Sequence, residues 1–370
     1  MKILHLLTDS SVGGAGMMLS YLAPHLSSHF DLSVALPKEN PLGEELEKRG
    51  IRVFRVCPSN GGVGSLLYAP PLLSLLRTLR PRILHTHALP LCRLMGRLCE
   101  IPVCLTTKHC DLSSPWQKNG VLRRLYNAST DMTVSTSLHM HRRLSDMGIQ
   151  SVFIPNGVAR PTPLSEGESE SFRRAIGLKR GDRLLCVLAR LVPVKAIDTV
   201  LLALAECPKS YHLLLIGDGP EKGRLTALSH RLGLAGRVHF FGFLKNGASY
   251  LSLCDLLICA SRASETSPLV IAEAASLSRP TVASDIPGHR ERLRGGGGLL
   301  FPVDDHTALA SCLERALQPP LYERLSSLAR KSYESDFSDR LMGERYLSLY
   351  WELLSKKRLK NSLSRGMIKI

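Results

Sequence analysis

Two α/β domains in tandem, each built on a parallel sheet, are the fold class this sequence predicts. Short apolar runs alternate with amphipathic stretches, the pattern of strand–helix–strand units whose sheet is covered on both faces. The alternation breaks once, over the Pro-, Ser- and Glu-rich residues 159–170, and then restarts, which marks a linker. A chain of 370 residues also exceeds one ordinary core.

In chain order, residues 2–7 form the first strand, followed by a glycine turn, Gly13-Gly14-Ala15-Gly16, and a helix over 17–26. Strands at 32–36 and 51–56 flank a helix at 44–49, and a helix at 66–79 leads into a strand at 82–87. A helix at 89–99, strands at 102–107 and 131–135, a helix at 138–147 and a strand at 152–155 complete the first half. After the linker, strands at 184–189, 211–216, 238–240, 256–259, 280–284 and 299–301 alternate with helices at 197–205, 221–232, 248–253 and 268–277. No fixed-period repeat is present. Met342, Tyr346, Leu349, Tyr350 and Leu353 make one apolar stripe on a last helix. The second domain already has its helices, so this one is expected to cross back to the first. The expected division is 1–158, 159–339, and a terminal helix with a basic tail at 340–370.

Composition narrows the function. Hydrophobic content of 44% and charged content of 22% are those of a globular enzyme. No apolar run reaches the ~18 residues of a spanning helix. The first apolar run is too short for a signal peptide, so a cytoplasmic protein is expected. Ten cysteines with no C-x-x-C pair fit a reducing compartment. Cys104, His109 and Cys110 cluster without ligand spacing, so no metal and no other cofactor is expected. The net charge of +16 asks for an anionic partner, but an aromatic content of 5% and the lack of a recognition-helix pattern argue against nucleic acid. Residues 112–126 mix Trp116, Lys118, Val121, Leu122, Arg123, Arg124 and Leu125. They read either as a surface resting on an anionic membrane, peripheral to its inner face, or as a packed helix with a basic edge.

The chemistry concentrates in residues 261–273, S-R-A-S-E-T-S-P-L-V-I-A-E. An apolar strand precedes them. Ser267-Pro268 has the form of an N-cap followed by proline at the first helical position. The N–H groups of Leu269 and Val270 then face the loop, where an anion can sit. Glu265 lies in the loop and Glu273 nearly two turns into the helix. Arg190 and Lys195 follow an earlier strand; such cations at the carboxyl end of a parallel sheet can clamp a diphosphate or be plain surface charges. The turn Gly13-Gly14 admits close approach of a ligand to backbone, but it is not G-x-G-x-x-G, which weakens a nicotinamide-dependent reading. Gly217-Asp218-Gly219-Pro220 reads as a strand-to-helix turn.

These residues resemble the retaining glycosyltransferases of family four, with the GT-B fold of two Rossmann-like domains facing a cleft. The resemblance runs over nearly the whole chain. It is carried by E-T-S-P-L-V-I-A-E-A-A-S-L-S-R-P-T-V-A-S-D, which looks like the family's E-x7-E motif, and by A-R-L-V-P-V-K-A-I-D, L-L-L-I-G-D-G-P, V-H-F-F-G and I-P-N-G-V. It implies an N-terminal acceptor domain, a C-terminal nucleotide-sugar domain, and transfer of a hexose from a nucleoside-diphosphate sugar, UDP-sugar foremost, to a glycan or lipid-linked acceptor. By position, Arg190 and Lys195 would take the leaving diphosphate, Glu273 the ribose, Glu265 the hexose, and Gly14 the donor phosphate or the acceptor. Ser267 would line the donor site, and His109 would lie near the transferred sugar, with His87 a further family position of less clear role. Ala189, Ala196 and Thr266 stand where the family usually has glycine, and Ala159 where it has aspartate. Retention by double displacement and by front-side attack both remain open. A sugar-nucleotide epimerase, a glycosidase using the two glutamates, and a non-catalytic nucleotide-sugar or nucleic-acid binder are the rival readings.

Overall fold

Each apolar run becomes a strand whose alternate residues enter two different cores. The computed structural model describes residues 1–10, 12–56, 69–87, 90–109, 120–263 and 265–366, with backbone alone from 360. Residues 66–68, Leu89, Cys110, Leu112, Trp116, Lys118, Ser264 and Lys369, and the side chains of Lys360 and Arg365, lie outside that description. The chain divides into two units, Met1–Gly157 with Asp339–Ile370, and Val158–Ser338.

The first unit runs β1 (Lys2–Leu6), α1 (Gly14–Ser27), β2 (Asp31–Ala35), α2 (Leu42–Lys48), β3 (Arg52–Phe54), α3 (Ala69–Leu79), β4 (Ile83–Thr86), α4 (Pro90–Leu98), β5 (Val103–Lys108), α5 (Gly120–Ser129), β6 (Met132–Ser135), α6 (Leu138–Asp146) and β7 (Ser151–Phe153). Its seven strands are ordered β3-β2-β1-β4-β5-β6-β7, all parallel. On one face Ile3, Val34, Ile83, Val103 and Leu105 meet Met18 and Leu22 of α1. On the other, Leu4, Leu6, Leu84 and Cys104 meet Leu72 and Leu76 of α3 and Met95 of α4. Period-two alternation thus fills two cores.

The second unit runs α7 (Glu166–Ala175), β8 (Arg183–Leu188), α8 (Ile197–Glu206), β9 (Tyr211–Ile216), α9 (Lys222–Arg231), β10 (Val238–Gly242), β11 (Leu256–Cys259), α10 (Leu269–Ser276), β12 (Thr281–Ser284), α11 (Pro287–Leu293), β13 (Gly298–Phe301), α12 (His306–Ala316) and α13 (Pro319–Ser332). Its six parallel strands are ordered β10-β9-β8-β11-β12-β13. Leu185 and Val187 face α8 and α12, while Leu184 and Cys186 face Ile271 and Ala274 of α10. The last helix, α14 (Asp339–Gly366), buries Met342, Tyr346, Leu349, Tyr350 and Leu353 in the core of the first unit. Gly343 permits the approach to α1: a Cβ there would come within 2.6 Å of the His25 Cβ. No helix among the described residues is long and apolar enough to cross a membrane.

The structure corrects several local expectations. The linker is half helix: Ser165 caps α7, accepting from the Glu168 N–H while the Glu168 carboxylate accepts from the Ser165 N–H. Helix α10 starts one residue later than expected. Pro268 is its extended N-cap, with no side-chain cap, and Glu273 lies only just over one turn in. The stretch 248–253 is a 3-10 helix, Gly247–Leu253. Helices α11, α12 and α13 went unforeseen.

Candidate active site

Both sheets change direction once. The chain winds outward from β1 and then restarts at β4; in the second unit it winds outward from β8 and restarts at β11. Crevices at such switch points, beyond the carboxyl ends of the strands, are where open α/β sheets take ligands. The predicted residues collect at these two places.

In the second unit Arg190 lies just past the end of β8, exposed and with no side-chain hydrogen bond or ion pair among the described residues. Its backbone is held by the Gly217-Asp218-Gly219 turn: the Leu191 N–H donates to the Asp218 carbonyl at 2.9 Å. A Cβ on Gly217 would come within 1.9 Å of the Ala189 carbonyl oxygen, so glycine there is required by packing. Lys195 closes a 3-10 turn, Pro193–Lys195, and Ala196 follows in the left-handed region at φ +49°. That is the position where the resemblance expects glycine, and its backbone conformation explains why.

Lys195 forms an ion pair with Glu265, whose carboxylate also accepts from the Ser261 hydroxyl at 3.0 Å. Burial pushes the Glu265 carboxyl up, but the Lys195 ammonium, His289 and the Ser261 hydroxyl together hold it below the usual carboxylate range. The first N–H groups of α10, at Leu269 and Val270, lie outside the intrahelical ladder. Glu273 is 6% exposed on the same helix. The Ser267 hydroxyl accepts from Arg292 Nη2 at 2.8 Å. Arg292, on α11, stacks over the Phe337 ring at 4.3 Å. Burial lowers its pKa to about 10 against the opposing pull of Glu291, Asp336 and Glu273.

Sequence reasoning missed Arg292 and His289. His289 is fully buried; its Nδ1 lies 2.9 Å from the Ser284 carbonyl and therefore carries the hydrogen. Its Nε2 is left as a buried lone pair with no partner among the described residues. The only local signal was P-G-H-R-E-R after a strand. A Cβ on Gly288 would come within 2.0 Å of the Glu265 carbonyl oxygen, so the two loops touch through that glycine.

In the first unit Gly13 is the N-cap of α1 and Gly14 its first residue. A Cβ on Gly14 would meet nothing within 4 Å, so internal packing gives no reason for glycine there. His109 follows β5 directly, with Nε2 at 2.9 Å from His87 Nδ1. Burial, with help from Lys108, lowers its pKa to about 4, so it is neutral. His5, His85 and His87 have ligand nitrogens within 4.8 Å of one another and could hold a metal ion. Their ring nitrogens already pair with each other, with His109, with Tyr350 and with Thr107, which accounts for the cluster without one. The described cysteines are all free thiols.

The two units define a protein class first. Anabaena HepE, solved with UDP and glucose, superposes with a TM-score of 0.80 at 23% identity, covering 95% of this chain and 99% of that one. The fold is GT-B. The family profiles "Glycosyltransferase Family 4" and "Glycosyl transferases group 1" match residues 12–160 and 168–333. The chain belongs to glycosyltransferase family four. A lipopolysaccharide core biosynthesis glycosyltransferase, LpsD of Rhizobium meliloti, is 30% identical over 172 residues, 46% of this chain and 50% of that protein. The phosphatidyl-myo-inositol mannosyltransferase of Mycobacterium leprae is 28% identical over 280 residues, 70% of this chain and 72% of that protein. The chain spans half or less of the length of the first curated relatives it matches.

Proposed function

We propose that this protein transfers a hexose from a nucleoside-diphosphate sugar, a UDP-sugar, to a glycan or lipid-linked acceptor of the cell envelope. One observation carries the reading: Arg190, the Lys195–Glu265 ion pair and the start of α10, with Glu273 on that helix, follow the adjacent strands β8 and β11 at the switch point. The leaving diphosphate departs with the bonding pair of the anomeric carbon. Arg190, Lys195 and the N–H groups of Leu269 and Val270 offer it positive charge. Glu273 accepts from the ribose hydroxyls. Glu265 accepts from the hexose, and His289 Nε2, a buried acceptor with no protein partner, suits another sugar hydroxyl. Ser267, held by Arg292, precedes α10 and is assigned to the same donor site. Gly14 and His109 serve the acceptor and the transferred sugar in the first unit.

What supports a UDP-sugar is HepE, a relative by fold solved with UDP-glucose, and what supports an envelope acceptor is the pair of curated relatives named above. Transfer is expected to retain anomeric configuration and to need no metal, because Arg190 and Lys195 are assigned to the charge of the leaving group. Calorimetry tests the reading. UDP binds the wild type, and Glu273→Ala lowers its affinity at least tenfold, by about 1.4 kcal/mol or more. Undiminished binding would remove Glu273 from the ribose. Activity that disappears in EDTA would overturn the metal-free part alone.

A further inference from the structure

Two consecutive residues, Ser261 and Arg262, reach from the end of β11 in opposite directions. Strand β11 lies between β8 and β12, and its last residue, Cys259, pairs with Ala283. Arg262 turns toward the loop after β8. Its N–H donates to the Val194 carbonyl at 2.8 Å and its Nη1 to the Pro193 carbonyl at 2.6 Å. Its Nη2 donates to Asp198 Oδ1 at 3.1 Å, in the first turn of α8, and its Nε pairs with Asp304 Oδ1 at 2.8 Å. The 3-10 turn that carries Lys195 is thus tied through its backbone to the loop that carries Glu265.

Ser261 turns toward Glu265. The Ser261 hydroxyl, at 3.0 Å, and the Lys195 ammonium meet the same carboxylate oxygen, Oε1. An ionised carboxylate only accepts, so the hydroxyl donates. Oε2 accepts from no described residue, and the Glu265 side chain is 18% exposed. The carboxylate is therefore one-sided, with Oε1 engaged by the protein and Oε2 left to an outside donor.

Ser261 is itself held in place. Its carbonyl accepts from the Ser284 hydroxyl at 2.6 Å, which uses the one hydrogen of that group. His289 Nδ1–H then faces the Ser284 carbonyl at 2.9 Å and the Ser284 hydroxyl oxygen at 3.2 Å. Carbonyls and a carboxylate set every direction in this run, because they can only accept. Ser261 is buried, so its hydrogen bond to Oε1 has no ready substitute from solvent. A diphosphate that draws the Lys195 ammonium to itself leaves Ser261 as the residue holding Oε1.

We propose that Ser261 is a positioning residue for sugar transfer: it holds Glu265 by Oε1 while Lys195 turns to the diphosphate, so that Oε2 receives a hydroxyl of the transferred sugar. The sugar contact rests on the transferase reading; the hydrogen bond to Oε1 does not.

Carboxyl titration and calorimetry on the full chain test it. Lys195, His289 and Cys259 are the titratable groups beside Glu265, and Ser261→Ala removes none of them. The ¹³C carboxyl signal of Glu265, assigned by its loss in Glu265→Gln, should titrate at higher pH in Ser261→Ala than in the wild type, because a donor to the charged form is gone. Calorimetry compares UDP with whichever of UDP-glucose, UDP-galactose and UDP-N-acetylglucosamine binds the wild type most tightly. Ser261→Ala should weaken that sugar nucleotide about fivefold or more and leave UDP within about twofold. Added to Glu265→Ala, it should cause no further loss. An unmoved carboxyl titration, an equal loss for UDP and the sugar nucleotide, or a full loss on top of Glu265→Ala overturns the proposal. Ser261→Cys, which keeps the shape and donates weakly, should give a smaller shift in the same direction and stands in if Ser261→Ala does not fold. A wild type that binds neither UDP nor a UDP-sugar sinks the transferase reading, and the carboxyl titration then decides the hydrogen bond by itself.

Discussion

Burial and the Lys195 ammonium compete for the Glu265 proton, and the ammonium wins. The pair is part-buried, at 25% and 18% exposure, so it is neither screened as at the surface nor stranded as in a dry core. Glu265→Gln leaves Lys195 with a neutral partner, and urea unfolding at neutral pH is expected to lose about 1–3 kcal/mol. The folded-state pKa is depressed, so this stability is present above the unfolded value near 4.3 and is lost as pH falls through the folded one. The gap between wild type and Glu265→Gln therefore closes at acid pH. A gap that stays constant well below the carboxylate range would mean the ion pair carries no stability.

At the scale of elements, β1, β4, β5 and α14 depend on one another through the histidine chain. In the unfolded state those imidazoles charge near pH 6.5. In the folded state His109 stays neutral down to about 4 and His5 to about 3, because burial outweighs every other influence. Lys108 beside His109 and Arg93 near His85 push the same way. Between those limits the unfolded chain binds more protons, so stability falls as pH falls. Up to four protons give a slope of at most about 5 kcal/mol per pH unit. Denaturant titrations from neutral pH downward should show the first unit unfolding well before the carboxylates titrate. A His5→Gln/His85→Gln double variant should flatten the slope, and an unchanged slope would place the acid sensitivity elsewhere.

For the molecule as a whole, a net charge of +16 is most informative where it meets exposed apolar surface. Helix α5 anchors itself by Tyr126 and leaves Val121, Leu122 and Leu125 exposed at 65%, 40% and 51%, with exposed Arg123 and Arg124 among them. Leu94 of α4 joins Leu122 and Leu125 around an apolar pocket of about 230 Å³. Apolar and basic residues mixed in this way would suit a surface resting on anionic lipid headgroups. Flotation with vesicles containing anionic lipid should recover the wild type, less so at high salt. Arg123→Glu with Arg124→Glu should cut binding by at least roughly tenfold. Equal recovery on neutral vesicles would rule out the electrostatic part.

Much of this was legible in the chain itself. Alternating apolar runs gave both sheets, and the acids and cations that gather beside β8 and β11 were visible as residue types at fixed spacing. The capping box at Ser165 and Glu168 was also there to read, but the Pro- and Ser-rich surroundings masked it as linker. Arg292 and His289 were not legible, since nothing within a few residues distinguishes a buried Arg or His from a solvated one. The histidine chain is the clearest case. Its links join residues as far apart in sequence as 265 and 345 positions, from His85 and His5 to Tyr350. Local periodicity is written in neighbouring residues, because backbone geometry repeats every two or 3.6 residues. Which histidine meets which tyrosine depends on strand register and on where α14 lands. Tertiary packing alone decides those, and with them which ring nitrogens meet.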